Sequence, residues 1–276
     1  MLLHPILLQL IVGVCLHELI AVKALPTQPG IERKWWSQLN VPWIDIAPDE
    51  WEHWKSCPGY DQNDEVFKED LTEILSLTSR DRQNELSSKG RNNQGIYVVG
   101  HNVEFPGNEV IVKRVDLNRR SASCEVVALK ELTQLQQDER AEPKPWSDQP
   151  VLFIKSGYVT DSLGHKWGVI VMHKQAGQQL PQMPQWAGPP EVKRQMMNVV
   201  YERTFRKAYD LVEKKGLVHV DFSPTNILVD EAGCYLIDFG APSVYRVKGT
   251  KPTEEEFERW YRIRWGFLWN SLVSGI

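Results

Sequence analysis

The sequence predicts an α+β fold, and three observations carry that expectation. Apolar residues recur in short strand-like runs and in longer stretches of helical spacing, in the order sheet, helix, sheet, long helix, hairpin. Proline punctuates the chain between those runs, at Pro143, Pro145 and Pro150 and again at Pro189-Pro190. The composition is that of a chain that packs, with 42% hydrophobic residues over 276 positions, which allows one large domain or two modest ones. Lys+Arg number 32 against Asp+Glu 36, a net charge of -4, so no basic field is present for a nucleic acid to recognise.

At the N-terminus, Leu2 to Leu16 form an apolar run too short for a comfortable membrane span, with Val22 and Ala24 as small residues ahead of Leu25-Pro26. This pattern reads as a secretory signal over residues 1–24 and predicts a secreted protein or one in the secretory pathway. The run carries His4 and no Lys or Arg, and the chain has no Asn-X-Ser/Thr sequon. A cytoplasmic protein with a buried N-terminal helix, and an uncleaved anchor in an internal membrane, are therefore the rival readings; membrane contact is expected only under the second. Cleavage after Ala24 removes Cys15 and leaves Cys57, Cys124 and Cys234, enough for at most one internal disulfide. Residues 25–85 read as a Trp-rich extension, since Trp35, Trp36, Trp43, Trp51 and Trp54 fall in one short stretch and such rings bury large areas.

Within the extension, Val66, Phe67, Leu71, Ile74 and Leu75 have helical spacing and predict an amphipathic helix over Asp64 to Leu77. Residues 86–276 form the main domain. Ile96 to Val99, a Pro106-Gly107 turn and Val110 to Val115 predict a hairpin. Ser121 or Ser123 caps a helix through about Gln137, and strands follow at Val151 to Ile154 and Trp167 to Met172. After Pro189-Pro190 a long helix carries Val192, Met196, Val199, Val200, Phe205, Tyr209 and Val212 on its apolar side and stops at Lys214, Lys215 and Gly216. Asn226 to Val229 and Cys234 to Ile237 form a hairpin. A last helix starts at Pro252-Thr253 with Glu254, Glu255 and Glu256 in its first turn and runs to about Leu268. Its stripe of Phe257, Trp260, Tyr261, Trp265 and Leu268 also contains Arg264, which needs a partner if buried.

The most informative stretch is His219-Val-Asp221-Phe-Ser-Pro-Thr-Asn226, followed after the hairpin by Asp238-Phe239-Gly240. A carboxylate at Asp221 suits a place beside an incoming hydroxyl, and the oxygens of Asn226 and Asp238 suit a divalent metal held against phosphates, because the hairpin returns the two ends to one edge. Each residue alone is more simply a turn former. Together, directly after a long helix, they resemble the catalytic loop and metal-binding motif of the protein-kinase-like superfamily.

That resemblance implies a two-lobed α+β protein-kinase-like fold with a reduced C-terminal lobe, using ATP and Mg²⁺ or Mn²⁺. It implies catalytic roles for Asp221, Lys113 and Glu125, with Asn226 and Asp238 as metal ligands. Lys113 ends the apolar strand Val110-Ile-Val-Lys113, and Glu125 shares a helix face with Leu129, Leu132 and Leu135 or Gln136. A carboxylate on that buried face needs a cation, and Lys113 is the obvious one. Glu131 is turned away and should see solvent. Gly168 to Gly177 resembles the strand and hinge on which adenine rests, which makes Met172, His173 and Gln175 cofactor-binding candidates. Gly90 to Val98 stands where a phosphate loop belongs; it lacks the full glycine spacing, and only Gly95 is carried over from it beside Lys113.

The chain departs from the family at Val220, where an arginine is common, and at Ser223, where protein kinases often carry a lysine near the γ-phosphate. Few residues remain past Gly240, with no Ala-Pro-Glu motif. The expected function is transfer of the γ-phosphoryl of ATP to a hydroxyl, on a protein Ser or Thr. The alternatives are a secreted pseudokinase or effector acting as a binding module, and a small-molecule kinase. The partners expected are ATP and a protein acceptor or partner, with no nucleic acid.

Overall fold

Five antiparallel strands make the N-terminal sheet: β1 (Glu85–Ser87), β2 (Ile96–Val99), β3 (Val110–Val115), β4 (Phe153–Thr160) and β5 (Lys166–His173), in the order β1-β2-β3-β5-β4. The computed structural model describes residues 41–44, 53–74, 85–87, 94–99, 109–139, 153–231 and 233–273. The apolar run Leu2 to Leu16, the Ala24-Leu25 boundary, Trp35, Trp36, Trp51, Leu75 and the Pro106-Gly107 turn lie outside them. No helix among the described residues is long and apolar enough to cross a membrane.

Strand β3 is central, and its period of two divides the sheet's faces. Val110 and Val112 pack with Leu71, Ile74, Val99, Val159, Val169 and Val171 on one side. Val115 and Ile170, the residue paired with Lys113, belong to the main core on the other. That second side is covered by a helix, Ala122–Glu139, whose Val126, Leu129, Leu132 and Leu135 are buried.

The expected helix over Asp64 to Leu77 is replaced by a single turn, α1 (Asn63–Val66), an extended stretch, and a 3-10 turn at Thr72–Ile74. The edge of β4 competes with the helix for backbone groups: Leu71 N–H donates to Tyr158 O (2.8 Å) and Tyr158 N–H to Glu69 O (2.8 Å). Asp70 Oδ1 also accepts from Thr72 N–H (3.0 Å) and Thr72 Oγ1 (2.6 Å), a local turn that favours leaving the helix. Gly157 makes the close passage possible, since a Cβ there would sit 2.3 Å from Glu69 O. Val66, Phe67, Leu71 and Ile74 are buried as their spacing implied, by a different backbone path.

The helix Ala122–Glu139 is α2. Segment 57–63 docks on its start, with Ser123 Oγ donating to Gly59 O (2.7 Å) and Ser123 N–H to Asn63 Oδ1 (3.0 Å), so Ser123 anchors the neighbouring segment. The thiols of Cys57 and Cys124 meet at this junction, and contact with each other and burial push Cys57 far above its usual range. Both, like Cys234, are free buried thiols. Trp43 and residues 57–67 thus contribute to the same core as the main domain.

The second lobe is built on α3 (Pro190–Lys215), capped as expected by Gly216, whose left-handed φ of 63° lets its N–H reach Leu211 O and Val212 O. Its buried line runs through Met197, Val200, Thr204, Ala208 and Leu211, whereas Val192 (38% exposed) and Val199 (48%) face outward. Of the expected stripe, Val200, Phe205 and Val212 are buried and Met196 and Tyr209 pack partly against the core, so only Val192 and Val199 depart from it. Short strands follow: β6 (Gln178–Gln179) precedes α3 and pairs with β8 (Ile227–Val229), which pairs with β9 (Cys234–Leu236); β7 (Leu217–His219) pairs with β10 (Val244–Arg246).

The last helix, α4 (Glu254–Val273), packs on α3. Thr253 caps it, its Oγ1 accepting from Glu256 N–H (3.3 Å) while Glu256 Oε2 accepts from Thr253 N–H (2.8 Å). Phe257, Trp260, Tyr261 and Trp265 are all buried and belong to the core, while the side chain of Leu268, the last of the expected stripe, lies outside the described ones. Their rings interlock with Trp43, Phe205 and Phe222, with centroids 5.3 Å apart for Trp43–Trp260 and 4.6 Å for Phe222–Tyr261. The arrangement is a two-lobed α+β fold of the protein-kinase-like type with a small C-terminal lobe. Because Trp260 contacts the rings of Trp43 and Phe222 from two other segments, Trp260→Ala should cost about 3–5 kcal/mol. Urea unfolding monitored by circular dichroism checks this; a midpoint within error of wild type would mean the cluster is not holding the lobe.

Candidate active site

Lys113 and Glu125 meet because two periodicities agree. Lys113 lies on the face of β3 that carries Val115, toward α2, and Glu125 lies one turn before Leu129 on the inward face of α2. Lys113 Nζ is 2.6 Å from Glu125 Oε2, and both residues are 5% exposed. Asp238, following β9, adds its Oδ1 at 3.0 Å from the same ammonium. Burial by itself pushes the Lys113 pKa down, but the carboxylates of Glu125 and Asp238 outweigh it and hold the ammonium above its ordinary range. Burial raises the Glu125 carboxyl, opposed by Lys113. Burial likewise disfavours ionised Asp238, yet Lys113 dominates and leaves it below the ordinary aspartate range. Glu131 is turned away, partly exposed, and pairs with Arg246 of β10.

Asp221 lies in the loop between β7 and β8. Its Oδ1 accepts from Ser223 N–H (3.2 Å), its carbonyl accepts from Asn226 Nδ2 (3.4 Å), and Asn226 N–H donates to Ser223 O (2.8 Å). Ile237 N–H donates to Asn226 O (3.0 Å), which draws the residue before Asp238 against Asn226. The hairpin thus brings Asn226 and Asp238 to one edge, as the spacing implied. Asp238 takes up a left-handed φ of 61°, rare for a residue with a side chain, while its side chain stays 45% exposed.

His219 is fully buried, and its Nε2–H donates to Ile237 O (3.1 Å), since a carbonyl can only accept. Burial holds its pKa below the usual histidine range. The ring is a neutral strut between the start of the Asp221–Asn226 loop and the residue before Asp238. Its edge meets Phe239 at a centroid distance of 5.1 Å.

The hinge candidates fall at the end of β5. Met172 and His173 are half-buried and pair with Ile111 and Val110 of β3. Gln175 is 8% exposed, its Nε2 donating to His173 O (3.4 Å) while its buried Oε1 has no hydrogen-bond partner. Gly95, at φ 133°, extends the β2–β3 ladder: its carbonyl accepts from Arg114 N–H (2.9 Å), one residue from the Ile96–Lys113 pair. The structure therefore places Gly95 in the sheet next to Lys113.

A carboxylate and an amide make a hard oxygen donor set that fits Mg²⁺ or Mn²⁺. Asn226 has its Nδ2 turned to Asp221 O, which leaves its amide oxygen for a ligand, and the exposed part of Asp238 leaves its carboxylate approachable.

Two supports of the loop escaped the sequence reading. Gln179 Nε2 donates to Thr225 O (2.9 Å), and Arg264 Nε from α4 donates to Val220 O (2.6 Å). Only Arg264 had a signal, a cation inside an aromatic stripe.

A sheet-borne lysine paired with a helix carboxylate, facing an Asp–Asn loop and an Asp-Phe-Gly turn across two lobes, defines the protein-kinase-like class. Residues 155–256 match the family model of the RIO domain, and RIO kinases are atypical members of that superfamily. The matched stretch begins in β4 and ends in the first turn of α4, so it covers Asp221, Asn226 and Asp238. No curated protein matches the sequence.

Removing one member of the buried pair strands the other, so Glu125→Leu should destabilise the protein by about 3–5 kcal/mol, less whatever Asp238 compensates. The double variant Lys113→Met with Glu125→Leu should lose clearly less than the two single losses added together. Additive losses in urea melts would show that the two side chains do not interact in solution.

Proposed function

We propose that the protein is an ATP-dependent phosphotransferase that moves the γ-phosphoryl group to a hydroxyl, on a protein Ser or Thr. The observation that carries this reading is the three-way contact of Lys113 with Glu125 and Asp238 beside the Asp221–Asn226 loop. The RIO domain match over the same loop supports it.

In this reading Lys113 binds and orients phosphate oxygens, and Glu125 keeps its ammonium in place. Asp221 has Oδ1 engaged by Ser223 N–H, so Oδ2 is the oxygen that receives the hydroxyl proton as the acceptor attacks. Asn226 and Asp238 offer the metal its protein ligands. Bound Mg²⁺ or Mn²⁺ supplies neutralisation of phosphate charge. Met172, His173 and Gln175 line the adenine side, and Gly95 lies at the sheet edge near the phosphates.

Ser223 favours a second reading, a nucleotide-binding module with little transfer, because a hydroxyl brings no charge to the phosphates where a lysine is usual. One pair of variants separates the two. Asp238→Ala should abolish the metal-dependent rise in Tm produced by ATP, and Asp221→Asn should retain it while lowering transfer by about 100-fold or more. Phosphoryl transfer from labelled ATP to protein and sugar acceptors, with Mg²⁺ or Mn²⁺, reads the second effect. An ATP-induced shift that is unchanged in Asp238→Ala would sink the site assignment. Nucleotide binding without transfer by wild type would establish the module instead.

A further inference from the structure

We infer that Arg264, on the last helix, is a positioning residue for the catalytic loop, tying the placement of Asp221 to the docking of α4. The inference rests on the reading of Asp221 as the carboxylate that meets the acceptor. Its starting point is Val220, the residue immediately before Asp221, whose apolar side chain leaves the loop without a charged anchor at that position.

Both backbone groups of Val220 are held from outside the loop. Its N–H donates to Ser243 O (2.8 Å), and its carbonyl accepts from Arg264 Nε at 2.6 Å. A charged donor at that length makes a strong hydrogen bond, and it fixes the peptide plane that joins Val220 to Asp221. The orientation of that plane sets where the Asp221 Cα–Cβ bond is aimed, because the next anchors, Ser223 N–H and Asn226 Nδ2, act only on Asp221 itself.

Electrostatics point the same way. Burial lowers the Arg264 pKa, and the attraction of Asp221 works against that shift, which places the guanidinium within electrostatic reach of the carboxylate. Residues of three segments lie on the guanidinium's side of the helix: Tyr261 and Trp265 flank it on α4, Phe222 of the loop packs on both, and Tyr245 of β10 adds a further interaction. A cation inside an aromatic stripe is costly to bury, and the carbonyl of Val220 with the nearby carboxylate offsets that cost. The tail helix therefore does two jobs. Its aromatic rings fill the small lobe, and one guanidinium sets the loop that carries the chemistry.

The consequence is a specific division of effects. Loss of the Arg264 bond should misplace the proton-accepting carboxylate while leaving Lys113, Asn226 and Asp238 able to hold ATP. Arg264→Gln and Arg264→Lys, assayed well below their melting temperatures, test this. Arg264→Gln is expected to lower kcat by about 10-fold or more with the KM for ATP within about twofold of wild type, and Arg264→Lys to recover part of kcat. A purely structural role would move kcat, KM and Tm together, and that result, or an unchanged kcat in Arg264→Gln, overturns the inference. Hydrogen exchange provides a reading independent of catalysis: in Arg264→Gln the amides of residues 221–226 should exchange faster while those of β8 and β9 stay protected. Equal exchange in that loop also overturns the inference. A wild type that transfers no phosphoryl group sinks the phosphotransferase reading, and the exchange result then still decides whether Arg264 holds the loop.

Discussion

The buried contact of Lys113 with Glu125 is the constraint on which the arrangement of both lobes depends. It joins the central strand of the sheet to the helix that covers it, at 2.6 Å and with both groups withdrawn from water. Two charges hidden in this way are stable only as a pair, so the register of β3 and the rotation of α2 are fixed together. A slip of one residue in β3 would turn Lys113 toward Val110's side of the sheet and leave Glu125 alone in the core. Asp238 extends the same contact into the second lobe. Through Ile237, whose N–H donates to Asn226 O and whose carbonyl accepts from His219 Nε2–H, the constraint reaches the loop from Asp221 to Asn226 within a few bonds.

The second lobe answers a different problem, that of forming a stable core from one long helix and several short strands. Strands of two or three residues contribute few ladder hydrogen bonds, and they need a packed layer behind them. Large rings supply that layer. Phe205, Phe222, Phe257, Trp260, Tyr261 and Trp265 form a continuous cluster between α3, the Asp221–Asn226 loop and α4, and Trp43 closes it from the N-terminal side. The exposed ion pairs along α4, Glu255–Arg259 and Glu258–Arg262, add only a few tenths of a kcal/mol each by comparison. The helix is held by its buried face.

These two parts meet at the loop from His219 to Asn226. Phe222 enters the aromatic cluster while Asp221 and Asn226, its neighbours in the loop, stay partly exposed, so one short segment is anchored by apolar burial and offers polar groups at its surface. Arg264 and Gln179 then hold its backbone at Val220 and Thr225 from two different elements, and His219 ties its start to Ile237. A functional loop placed by a rigid scaffold is the common solution where geometry must be precise and backbone groups must still be satisfied.

The sequence by itself determined most of the shared faces and several of the element ends. The apolar strand Val110 to Val115, the three-and-four spacing from Glu125 to Leu132, the Gly216 stop and the Thr253–Glu256 cap are all local, and all stand in the structure. The Asp221, Asn226 and Asp238 spacing was legible for the same reason, since a short hairpin must return its two ends to one edge. Tertiary structure decided which face meets what. It drew residues 67–71 out of a helix and onto the edge of β4, because Tyr158 offered backbone partners that a helix would not use. It left Val192 and Val199 of the expected α3 stripe facing outward, while Val200 and Phe205 meet the core and Phe205 packs on the rings of α4. It also gave Arg264 its partner across 44 residues of chain, a contact no local spacing encodes, since it depends on where two separately formed elements come to rest.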